Sequence, residues 1–206
     1  MGETTSPHRP RLGFFGGSFD PLHKGHLTIG KEALEKAKLD KLLLCPAYHA
    51  PLRNLPPLFS AKHRLGMVHS LSENYQGMEA CPLEVDHAQV RYTFETILEV
   101  QSLYPEHELF LILGTDQFSR LQEWKNIEQL ITLVHFLVFA RGQDQRPAPS
   151  HAGMRMTTMD NSLIDLSSTQ VRKKIQLGQD LTGVLPPTIL SYLKDNHLIP
   201  LSENNP

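Results

Sequence analysis

Apolar positions along this chain fall into two patterns. Short, nearly continuous apolar runs at residues 12–15, 42–45, 109–113 and 135–140 predict strands covered on both faces. Shorter strand candidates lie at 78–85 and 163–166. Between them, apolar residues recur at helical spacing over 27–38, 61–71, 94–103 and 127–133, and the pattern resumes through Ile175 and Leu177. Strands alternating with helices predict an α/β fold, a mostly parallel sheet with helices on both faces and a small helical C-terminal part. Right-handed crossovers then place a ligand crevice at the carboxyl ends of the strands.

Two stretches break the pattern. Residues 46–57 carry four prolines and no period, and 142–153 are polar and contain proline, so both read as loops. Short elements of the same kind continue beyond each, which predicts a single domain over 11–201. A flexible tail is expected at 1–10 and a frayed one at 202–206.

Composition narrows the class without naming a function. The chain has 206 residues, 40% hydrophobic and 20% charged, with a net charge of −2. These values fit a soluble globular domain and give no reason to expect a nucleic-acid or membrane surface. No apolar segment approaches a membrane span, and the N-terminus lacks an apolar signal region, so a cytoplasmic protein is expected. The two cysteines make neither a disulfide framework nor a spaced metal site, and Cys45 within its apolar run reads as a buried thiol.

The chemistry concentrates at residues 16–26, Gly-Gly-Ser-Phe-Asp-Pro-Leu-His-Lys-Gly-His. This run lies between the first strand and the first helix. Gly16 and Gly17 let the main chain approach a ligand, and the helix start offers free N–H groups to an anion. His23 and His26, three apart, share one helix face and can reach the same phosphates. A Gly-Gly pair alone makes only a turn, and the GxGxxG and GxxxxGK[ST] fingerprints are absent. Zinc sites of the HExxH kind space their histidines four apart around a Glu, so a phosphate site is the reading and a metal site is not. Asp20 before Pro21 reads foremost as a turn residue, and Lys24 equally as an electrostatic aid or a solvated lysine.

A second constellation, residues 167–172 (Ser-Ser-Thr-Gln-Val-Arg), follows a short apolar run. Ser167 with Gln170 has the capping-box form and fixes a helix start. Beyond that cap, spare hydroxyls and the planar fork of Arg172 suit phosphate oxygens.

Together, the two segments resemble the paired signatures of the HIGH-type nucleotidyltransferases and, within them, the bacterial nicotinate-nucleotide adenylyltransferases. The resemblance runs from about Leu12 to Ile199. Its landmarks are residues 91–96 (RYTFET), similar to SYTxxT; 113–116 (LGTD), similar to GxD; 121–124 (LQEW), similar to LxxW; and the C-terminal 185–192. It implies a Rossmann-like fold that joins ATP and nicotinate mononucleotide into deamido-NAD and pyrophosphate. His23, His26 and Arg172 would be catalytic. ATP would be bound by these three with Gly16, Gly17, Ser18, Phe19, Gly114, Asp116, Arg141, Ser168 and Thr169. The acceptor would meet Arg53, Tyr92, Thr93 and Trp124, the last stacking on the pyridine ring. Mg²⁺ would ride on the ATP phosphates with no dedicated protein site, and a homo-oligomer is compatible with the sequence.

Plainer roles stand beside these. Trp124 also fits a core or helix-surface position, Asp116 a helix N-cap, and Arg141 a solvated strand end. The chain departs from the family pattern at Leu52 and Arg53 (for the His-Lys of PPHK), at Arg91 (for Ser) and at Lys125 (for an aromatic). All four lie around the acceptor pocket. Alternative acceptors are nicotinamide mononucleotide and phosphopantetheine, and a rival from another class is a nucleotide-binding regulator without catalysis.

Overall fold

A computed structural model of the chain describes residues 9–51, 55–140, 151–160 and 166–199. Its elements in chain order are β1 (Arg11–Gly17), α1 (Lys24–Lys36), β2 (Lys41–Pro46), α2 (Ala61–Ser72), β3 (Met78–Ala80), the short α3 (Leu83–Asp86) and α4 (Thr93–Leu103). There follow β4 (Glu108–Gly114), the single-turn α5 (Thr115–Phe118), a 3-10 turn at Leu121–Glu123, α6 (Ile127–Leu133), β5 (His135–Phe139), β6 (Arg155–Met159), α7 (Ser168–Gln176) and α8 (Pro187–Asp195).

The six strands form one parallel sheet in the order β3-β2-β1-β4-β5-β6. In β1, β2, β4 and β5, successive residues enter opposite cores. Phe15, Leu44, Ile112 and Leu137 join the side chains of α1, α2, α7 and α8. Phe14, Leu43, Leu111 and Phe136 join those of α4 and α6. Helices on both faces explain why these strands read as continuous apolar runs rather than alternations. Cys45 and Cys81 are both buried and free.

The strand order is that of a Rossmann-like sheet, whose order reverses between β1 and β4. Phe14 stands opposite Leu111. Three residues further along each strand come Gly17 and Gly114, so both predicted glycine ends lie at that switch point.

Two predicted strands need correction. The candidate at 78–85 ends at Ala80 and continues into α3. Cys81 N–H still donates to Leu44 O at 2.9 Å, but Pro82 has no N–H with which to extend the ladder. The sixth strand is Arg155–Met159 rather than 163–166: Leu166 is in no strand, and 163–165 lie outside the described residues. Its sequence, Arg-Met-Thr-Thr-Met, shows no apolar run because it pairs only with β5 and leaves Arg155, Thr157 and Thr158 exposed.

Candidate active site

The first helix begins at the predicted histidines. His23 is the N-cap of α1 with extended backbone, and Lys24, Gly25 and His26 form its first turn. His23 N–H donates to His26 Nδ1 at 3.3 Å, and the two rings stack 3.8 Å apart at 26°. Gly25 leaves room for this stacking: a Cβ there would stand 3.0 Å from His23 Cε1 and Nδ1, so the ring would have to shift by a few tenths of an ångström. His23 is buried and His26 half-buried. With Nδ1 accepting, the neutral His26 ring carries its proton on Nε2.

The turn between β1 and α1 is buttressed by the second constellation. Phe19 adopts φ +44° and packs its ring edge-on to His26 at 5.1 Å. Ser167 caps α7 as the capping box predicts, with Gln170 N–H donating to Ser167 Oγ at 3.2 Å and Ser167 N–H to Gln170 Oε1 at 2.6 Å. One turn into α7, Arg172 donates through Nη1 to Asp20 O at 2.9 Å and through Nη2 to Thr169 Oγ1 at 2.9 Å. Ser168 Oγ reaches Pro21 O at 3.4 Å. The starts of α1 and α7, at Lys24 and Ser168 and thus 144 residues apart in sequence, therefore meet across Asp20–Pro21. Lys24 turns away, its Nζ donating to Thr182 O at 3.0 Å.

At the end of β4, Gly114 is the N-cap of α5 and Asp116 sits in that helix's first turn, so Asp116 is not the cap. Gln117 Nε2 donates to Asp116 Oδ2 at 3.3 Å.

Two of the predicted acceptor residues, Tyr92 and Thr93, stand at the start of α4. Tyr92 is the N-cap of α4, and its N–H donates to Glu95 Oε2 at 3.1 Å. Lys125 Nζ lies 4.4 Å from the Tyr92 ring centroid and 3.0 Å from Glu95 Oε1. Trp124, the neighbour of Lys125 in sequence, is half-buried and packs against the core shared by α4 and α6. The Tyr92 N–H and then Lys125 hold the Glu95 carboxyl below its ordinary range. Arg91 is tied down likewise, donating to Glu99 Oε2 at 2.5 Å and to Glu95 O at 3.2 Å. Arg91 and Lys125 are thus both engaged by acids of α4. Arg53 and Arg141, with Leu52, lie outside the described residues.

Three features escaped the sequence reading. Asp20 is fully buried, and its carboxylate accepts from the N–H groups of Leu58 at 3.0 Å and Phe59 at 2.9 Å. Arg64 is buried too and donates to four backbone carbonyls. Thr96, the last residue of RYTFET, donates to the buried Glu84 carboxylate at 2.9 Å. Arg64 could have been found, because it shares the apolar stripe of α2 with Met67, Val68 and Leu71 at spacings of 3, 4 and 7.

Comparison with known proteins agrees with this geometry. The Cytidylyltransferase-like family model matches residues 14–174. A Gemmatimonas aurantiaca protein named "Probable nicotinate-nucleotide adenylyltransferase" is 33% identical over 194 residues, covering 91% of this chain and 92% of its own. One of the same name from Desulfatibacillum aliphaticivorans is 34% identical over 211 residues, covering 89% and 97%. Among solved structures, Plasmodium falciparum nicotinic acid mononucleotide adenylyltransferase complexed with NaAD superposes with a TM-score of 0.74 at 18% identity, covering 92% and 97%. With the sheet order, the two joined helix starts and these likenesses in agreement, the chain belongs to the Cytidylyltransferase-like family and, within it, to the nicotinate-nucleotide adenylyltransferases.

Proposed function

We propose that the protein transfers the adenylyl group of ATP to nicotinate mononucleotide, giving deamido-NAD and pyrophosphate in NAD biosynthesis. The observation that carries this reading is the meeting of α1 and α7 over Asp20–Pro21, which gathers the stacked His23–His26 pair, Ser168, Thr169 and Arg172 at one place. Two helix starts and a guanidinium suit a polyphosphate.

The chemistry needs little from the protein beyond alignment. A phosphate monoester has a second pKa near ~6, so the acceptor phosphate is largely a dianion at neutral pH and needs no strong general base. Its oxygen attacks the α-phosphorus of ATP, the bond from that phosphorus to the bridging oxygen breaks, and pyrophosphate leaves in line. His26, donating from Nε2, and Arg172 would take up charge on the transferred and leaving phosphates. Gly16, Gly17, Ser18 and Phe19 would line the phosphate path, Gly114, Asp116 and Arg141 the rest of the ATP, and Tyr92, Thr93, Trp124 and Arg53 the acceptor.

Mg²⁺ would enter on the ATP phosphates and neutralise their charge, a common arrangement for this ion. Among the described residues, no three His, Cys, Asp or Glu side chains gather to hold a metal by themselves. Among those residues, too, no helix is long and apolar enough to cross a membrane. The cytoplasm is the proposed location.

Steady-state pyrophosphate release with ATP and a panel of nicotinate mononucleotide, nicotinamide mononucleotide and phosphopantetheine tests the reading. The acid should give the highest kcat/KM. Equal efficiency for acid and amide would sink the acid preference, and nucleotide binding without turnover would replace the enzyme with a regulator.

A further inference from the structure

Arg64 lies on the buried stripe of α2 and is 1% exposed. A guanidinium stays charged in proteins, so burying one is tolerable only where its N–H groups find acceptors. Nε donates to Phe59 O at 3.1 Å, Nη1 to Ser18 O at 2.8 Å and Ala47 O at 2.5 Å, and Nη2 to Tyr48 O at 2.8 Å. These carbonyls belong to three separate segments: the turn after β1, the chain leaving β2, and the entry to α2. Asp20 completes the arrangement. Phe59 gives its carbonyl to Arg64 and its N–H to Asp20 Oδ1.

Between Ser18 and Asp20 stands Phe19, whose φ of +44° is in the left-handed region that a bulky side chain rarely adopts. Such a conformation persists only where its surroundings over-determine it. Here Arg64 holds the carbonyl before Phe19 and Arg172 the carbonyl after it. The Phe19 ring then abuts His26. Two guanidinium groups from two helices therefore fix one strained turn, and that turn touches both groups assigned above to the transferred phosphates.

The geometry points to Arg64 as a positioning residue for adenylyl transfer, which sets the 18–20 turn and through it aims His26 and Arg172. This rests on the function proposed above and adds a residue that acts through others. A lysine here would keep the charge, but its compact ammonium has three donors and cannot span four carbonyls in three segments.

Arg64→Lys is assayed with ATP and nicotinate mononucleotide beside the wild type, at a temperature where circular dichroism shows both folded. The kcat should fall about tenfold to about 10²-fold, with both KM values within about threefold, as expected when alignment rather than uniform binding is lost. In Arg64→Ala, guanidinium ion should restore part of kcat and methylammonium should not. An unchanged kcat per folded molecule, or a loss confined to KM, overturns the proposal. Amide hydrogen exchange of the wild type provides a reading without any variant. The Ala47, Leu58 and Phe59 amides should exchange as slowly as the sheet, and exchange at the rate of an open loop also overturns it. A wild type that transfers no adenylyl group would refute the proposed function, while the exchange pattern still decides whether this framework is rigid.

Discussion

Replacing Thr96 by Val tests why a threonine ends the RYTFET landmark. Thr96 is fully buried and Glu84 is 7% exposed, so their 2.9 Å hydrogen bond is shielded from water. Burial pushes the Glu84 carboxyl above its ordinary range, against the Thr96 hydroxyl and the charges of Arg91 and Arg64, which pull it down. A hydrogen bond to a charged group contributes about 1.5–3 kcal/mol, and valine removes the donor while nearly keeping the shape. The expected loss near neutral pH is about 2 kcal/mol. For a chain of this size that corresponds to a fall in Tm of about 4–8 °C, or a urea midpoint lower by about 1 M at an ordinary slope.

The pH dependence carries the discriminating sign. A carboxyl raised by folding favours the folded state where it is protonated, and that advantage disappears as pH rises through its folded value. Valine penalises the charged form most, because the carboxylate loses a charge-assisted hydrogen bond whereas a protonated Glu84 loses only a neutral one. The variant's deficit should therefore be full near about pH 7.5 and smaller near about pH 5, read by urea unfolding at both. An equal deficit at the two pH values, or none at either, refutes the reasoning.

Gly66→Ala should destabilise by about 1–3 kcal/mol, although alanine ordinarily improves a helix interior, because its Cβ would lie 2.1 Å from Tyr192 Oη where α2 meets α8. A raised Tm would contradict that packing. His26→Ala should cut kcat by roughly 10²-fold or more in a folded protein. Near-normal turnover would remove His26 from the proposed machinery. Trp124→Ala should mainly raise the KM for the mononucleotide. A change confined to ATP would contradict the proposed acceptor role.

The sequence revealed most where the pattern was locally complete. Four strands were legible because both of their faces are covered, so every residue from Leu109 to Leu113 is apolar and buried. By contrast, β6 at the sheet edge leaves Arg155 and Thr157 exposed and shows no such run. Helix α1 starts three residues before its apolar spacing does, because its cap is His23, outside the usual Ser, Thr, Asp and Asn. The capping box of α7 was readable since both of its partners lie within four residues. The bonds of Asp20 were not. Its carboxylate meets amides 38 and 39 positions away, and its carbonyl meets a guanidinium 152 positions away. The burial of Arg64 was readable from the stripe of α2, but its carbonyl partners, scattered over residues 18–59, were hidden for the same reason. Spacing rules report what one element does to itself, and long-range side-chain-to-backbone bonds obey none of them.

The bond from Arg172 to Asp20 has a consequence in time as well as in space. It joins the seam between the first strand and the first helix to a residue synthesised 152 positions later. On a ribosome releasing about 5–20 residues per second, the first β-α unit waits several seconds or more for its closing partner. Until α7 arrives, the carbonyl after Phe19 lacks the guanidinium that holds it in the folded protein. Completion of the proposed anion site is therefore a late event of folding, set by a contact between residues 152 positions apart rather than by the glycine turn alone.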